Sequence, residues 1–169
     1  MPRLATSLDV WREAVRVQRA AAQDIARLIA DTLRAQFPAA AYLAMTIEGE
    51  REAFTQLFPH SVRDAAGGIL CDFEDHLLPP VAHSSPLNTA WGKLSPRDPF
   101  DLRTVLRLLF TGGGQFDDYP ENLRIEGDEP EGVWMPCLLL SDAARPARWE
   151  NPDCPTDLVL RPYSAARPK

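Results

Sequence analysis

The stretch from Ser7 to Phe37, SLDVWREAVRVQRAAAQDIARLIADTLRAQF, contains no glycine or proline and stops at Pro38. Leu8, Trp11, Val15, Ala22, Ile25, Ile29 and Leu33 recur in it mostly at three- and four-residue steps, and Leu28 and Phe37 widen the stripe. That spacing predicts a long amphipathic helix. Thr6 or Ser7 can cap its first turn, and Asp9 stands three residues after Thr6, where a capping box places its return acceptor. At roughly 1.5 Å per residue the helix would run about 45 Å, longer than one side of a small sheet.

After Pro38 the pattern alternates. AAYLAMTI (40–47) sets Leu43, Met45 and Ile47 on one side and Tyr42, Ala44 and Thr46 on the other, as a strand does. AFTQLFPHSV (53–62) is a second expected strand, which Pro59 confines to an edge or a bulge. ILCDF (69–73) is a third, joined to the second by the glycine-bearing turn RDAAGG. Together these three predict an antiparallel meander, one face of which takes the stripe of the first helix. Four prolines punctuate 77–96, where a short helix is expected with Ser85 as cap, Pro86 in its first turn, Trp91 against the core and Gly92 at its end. A further helix begins at Asp98-Pro99, buries Leu102, Val105, Leu106 and Leu109, and ends at Gly112. Pro136 divides VWMPCLLLS, leaving Cys137–Leu140 as its ladder-forming part, and TDLVLRPY (156–163) reads as a final strand. The expected fold is therefore α+β, one domain over 1–163 in the order α-β-β-β-α-β-β, with helices in a single layer on one sheet and a frayed tail at 164–169.

Charge narrows the function. Of the net −6, the segment 117–131 by itself accounts for −6, because seven carboxylates there meet Arg124 alone. An acidic chain without a basic stripe is a poor nucleic-acid binder. The element order is similar to that of double-stranded-RNA-binding domains, but the basic loop such a domain needs is absent, so the comparison fails on charge. Three widely spaced cysteines fit neither a disulfide framework nor a metal knuckle. No apolar run reaches membrane-spanning length, and acidic and basic residues interrupt the N-terminus. A cytoplasmic protein without membrane attachment is expected. Arginine greatly outnumbers lysine, a bias of GC-rich bacterial genomes.

Chemistry-bearing residues gather only around His60, Asp72, Glu74, Asp75, His76 and His83. Asp75-His76, with Asp72, suits a divalent metal or a proton-transfer pair, but metal-type His spacing is lacking and a polar strand end explains the same residues. Cys71 alternates with Ile69 and Phe73 toward the core, the setting of an inert thiol. Gly112-Gly113-Gly114 follows a helix instead of opening one, so it reads as a cap and not a phosphate loop.

What remains is asymmetry of charge and of apolar surface. Trp11 and Val15 lie on a near-heptad seam that three short strands cannot cover along its whole length. Phe116 and Tyr119 sit among Asp117, Asp118 and Glu121, an aromatic pair in an acidic run that suits an interface. The expectation is a non-enzymatic protein–protein interaction module (accessory, regulatory, inhibitor or immunity-type) or a homodimer, with no cofactor. Its rival is a small metal-dependent enzyme built on Asp72, Asp75 and His76.

Overall fold

The computed structural model describes residues 6–48, 56–74, 76–112, 123–125, 133–141 and 160–162. Helix α1 runs Ser7–Gln36, and its capping box is closed: the Asp9 N–H donates to Thr6 Oγ1 at 3.2 Å while the Thr6 N–H donates to Asp9 Oδ2 at 3.1 Å. It stops before Phe37-Pro38, since the residue preceding a proline is pushed out of the helical region. Strands β1 (Tyr42–Glu48), β2 (Gln56–Arg63) and β3 (Ile69–Asp72) follow as antiparallel neighbours. The short helix α2 (Pro86–Ala90) has Ser85 as cap, and α3 (Pro99–Thr111) has Asp98, whose Oδ1 accepts from the Phe100 N–H at 2.9 Å. Gly112 caps the C-terminal end of α3. Beyond the expected order, β4 (Arg124–Ile125) pairs with β5 (Val133–Trp134) in a small second sheet. Strand β6 (Cys137–Leu139) then returns to β1, giving a four-stranded antiparallel sheet in the order β3-β2-β1-β6.

Pro59 lies in a central strand and not at an edge. The register slips between Ala44 and Met45, whose partners are Ser61 and Pro59, so His60 is the extra residue of a bulge. A bulge is where a strand tolerates the missing N–H. Pro136 has the expected effect on the other edge of β1, also beside Met45: the residues before it pair with β4 and those after it with β1. Its carbonyl still accepts the Met45 N–H at 2.9 Å.

Both faces of β1 are buried over Tyr42–Met45. Ile29, Ala30 and Leu33 of α1, with Leu102, Leu106 and Leu109 of α3, share one core with Leu43, Met45, Leu57 and Val62. Tyr42 and Ala44 point the other way, into a second core with Leu123, Met135, Cys137 and Leu139. The helix seated on the sheet is α3, whose Arg103 guanidinium stands 4.0 Å from the centre of the Phe58 ring on β2. Helix α1 packs mainly against α3, α2 and β6, and its Ile29, Ala30 and Leu33 join the core on the same face of the sheet. Of the expected final strand 156–163 only 160–162 are described; they are irregular, with Leu160 in the main core. No helix among the described residues is long and apolar enough to cross a membrane.

Candidate interaction surface

The stripe of α1 is continuous in sequence but divided in space. From Ala22 onward its apolar positions are covered: Ala22, Ala26, Ile29, Ala30 and Leu33 are buried, and Ile25 and Leu28 are partly so. From Thr6 to Ala21 every residue is exposed except the half-buried Val15. Leu8 is 54% and Trp11 68% exposed. Two of the described segments dock farther along the helix. The proline-rich segment meets the far end of α1, where the Trp91 indole donates to Thr32 Oγ1 at 2.8 Å. There Gln36 Nε2 donates to the carbonyls of Pro79 (3.0 Å) and Pro96 (2.7 Å), while its buried Oε1 has no partner among the described residues. The 160–162 segment meets the middle of the helix, its Arg161 and Pro162 carbonyls accepting from Gln23 and Arg27. Leu8 and Trp11 are left exposed and Val15 half-buried.

Beside this apolar face runs a row of arginines. Trp11 and Val15 line a cleft of about 330 Å³ together with Arg12, Arg16 and Arg19. Arg16 is held by Glu13, with Nε 2.8 Å from Oε2, and that hydrogen bond keeps the Glu13 carboxyl below its usual range. Arg27 lies 3.9 Å from Asp24. Hydrogen bonds from Thr6 likewise hold the Asp9 carboxyl low. Arg12 and Arg19 have no carboxylate in ion-pair range among the described residues. Two i,i+3 ion pairs thus form on the helix surface, and Arg12 and Arg19 are left over. Their seven-residue separation beside Trp11 was the available signal in the sequence for a cleft wall rather than a merely solvated face.

The polar constellation only partly converges. Cys71, Asp72 and His76 line one groove of about 500 Å³, with Leu70, Leu77 and Arg97. His60 and His83 do not line it, and Asp75 lies outside the described residues. Among the described residues no three His, Cys, Asp or Glu side chains are placed to hold a metal ion. Burial pushes the Cys71 thiol up, with Asp72 adding to it, and its Sγ–H donates to the Asp72 carbonyl at 3.0 Å. That is opposite to the activation a nucleophilic cysteine requires.

His60, at the bulge, has its pKa lowered by burial first and by Arg63 second, against a smaller opposing effect of Asp72. Its Nδ1 lies 3.0 Å from Ser61 Oγ, which also accepts from Arg63 Nε at 2.9 Å. The fold therefore favours the neutral ring. The stability this contributes is present above the unfolded-state pKa of about 6.5 and is lost as pH falls through the lower folded-state value. Urea midpoints should drop between about pH 7 and pH 5, and His60→Asn should flatten that decline. An unchanged slope in His60→Asn would assign the effect to other groups.

Phe116, Asp117, Asp118, Tyr119 and Glu121 lie outside the described residues. The surface that the structure does place is the first four turns or so of α1, with its cleft. No protein-family model, curated protein or solved structure matches this chain.

Proposed function

We propose that this chain is a non-enzymatic protein–protein interaction module, of accessory, regulatory, inhibitor or immunity type, that binds a protein partner or a second copy of itself through the first half of α1. We take its helices as one layer over one face of the sheet, so that the start of α1 overhangs the body. One observation carries the reading: the apolar stripe that is buried from Ala22 to Leu33 continues through the half-buried Val15 to the exposed Trp11 and Leu8. A large aromatic in water on a contiguous apolar stripe is the usual mark of a surface that another molecule covers. Aromatics and arginines are also the residues that interface centres favour. The acidic run with Phe116 and Tyr119 is a second candidate surface on its sequence alone.

The metal-enzyme alternative rests on Asp72 and His76 sharing a groove. A stoichiometric metal in the purified protein, lost in His76→Ala, would favour it over the interaction reading.

Trp11→Ala tests the proposal directly. Its effect on the isolated chain should stay within about 0.5 kcal/mol, as for other surface substitutions. The same change should weaken whatever complex or dimer the parent forms in sedimentation. A loss of several kcal/mol in the monomer, the size of a buried-aromatic truncation, would make Trp11 core and end the reading.

A further inference from the structure

We infer that the exposed face of α1 receives an acidic amphipathic helix of a second protein, with its carboxylates on Arg12 and Arg19 and its apolar side chains on Trp11 and Val15. The inference rests on the interaction reading above and specifies its partner. Apolar and cationic groups meet here in one depression, since Trp11, Val15, Arg12, Arg16 and Arg19 line the same cleft. Glu13 already neutralises Arg16, but Arg12 and Arg19 have no such neighbour among the described residues. They stand two turns apart on one side of the helix. A ligand carrying an apolar seam with a carboxylate row beside it matches both rows at once.

A second copy fits less well. On the seam through Leu8, Trp11, Val15 and Ala22, Arg12 and Arg19 flank one edge, and Ser7, Ala14 and Ala21 flank the other. In a symmetric antiparallel pair the arginine rows would face each other; in a parallel pair they would face Ser7, Ala14 and Ala21. Neither arrangement supplies a carboxylate. An anionic membrane would also attract arginines beside a tryptophan. Yet Asp9 and Glu13 share these turns, and the whole chain carries −6, which such a surface repels.

The test uses the full chain and a fluorescein-labelled peptide of about three heptads, leucine along its seam and glutamate on its flanks. Its Glu→Lys counterpart and vesicles of phosphatidylcholine with phosphatidylserine serve as the other probes. Anisotropy should show binding of the acidic peptide that weakens as salt rises. The double variant Arg12→Glu/Arg19→Glu should weaken it about tenfold, the size of two exposed charge pairs reversed, and Trp11→Ala should weaken it as well. Circular dichroism should show both variants folded. If the lysine peptide binds equally well and still depends on Trp11, the acidic partner is wrong and the interaction reading stands. A concentration-dependent dimer abolished by Trp11→Ala would point to a second copy and overturn the inference. Vesicle binding lost in the arginine variant, without peptide binding, would overturn it in favour of a lipid surface. If no peptide binding and no self-association depend on Trp11, both the inference and the reading beneath it fail.

Discussion

Trp91→Ala should lower the unfolding free energy by about 3–5 kcal/mol, the range for truncating a buried aromatic. Trp91 is 6% exposed and stands at the C-terminal cap of α2, in a segment rich in prolines with little regular hydrogen bonding of its own. Its indole reaches α1, donating to Thr32 Oγ1, and the Thr32 hydroxyl in turn donates to the Leu28 carbonyl at 2.7 Å. Removing the side chain leaves a cavity where α1 and α2 meet and frees the segment that Gln36 and Arg97 otherwise hold; Arg97 Nε donates to the Leu78 carbonyl at 3.0 Å. Trp91→Phe separates the two contributions: it retains most of the apolar contact, loses the hydrogen bond, and should cost about 1 kcal/mol from that loss. Urea denaturation of both variants measures the difference. A cost below about 1 kcal/mol for Trp91→Ala would mean that this segment is not docked on α1 as described.

Tyr42→Ala should be of the same order, about 3–5 kcal/mol. Tyr42 is fully buried on the face of β1 turned away from Leu43 and Met45, among Leu123, Met135, Cys137 and Leu139. The substitution decides whether the sheet has one buried face or two. With only the helix side covered, Tyr42 would be a solvated strand residue and its loss would cost no more than about 0.5 kcal/mol. Leu123→Ala is the companion measurement, because Leu123 reaches this core from the residue just before β4 and should cost about 2–5 kcal/mol if it fills the space against Tyr42. Chemical denaturation near neutral pH, where His60 stays neutral, keeps the two effects apart.

Local chemistry was legible in the sequence. The capping box of Thr6 and Asp9, the Ser85-Pro86 and Asp98-Pro99 helix starts and the stops at Pro38 and Gly112 each depend on a few neighbouring residues, whose preferred dihedrals and hydrogen bonds act without the rest of the chain. The alternation of Leu43 and Met45 against Tyr42 and Ala44 is equally local. So is the requirement that Pro59 lie where no ladder N–H is needed. Which of the permitted outcomes occurs was decided by tertiary contacts. Pro59 takes a bulge in a central strand because β3 and β1 flank β2 on both sides.

Both faces of β1 are buried because Leu123 and Met135, from far along the chain, cover the side that alternation left unassigned. The seat on β2 goes to α3 and not to the longer α1, since an apolar stripe states which face seeks cover and not which surface provides it. The same limit applies to the candidate surface. Leu8, Trp11 and Val15 have the spacing of Ala22, Ile25 and Ile29, so periodicity alone gives all of them the same status. On the apolar stripe, full burial begins only at Ala22. That boundary between core and open surface is a property of the packed molecule, because burial depends on which distant residues arrive, and the helix itself carries no record of them.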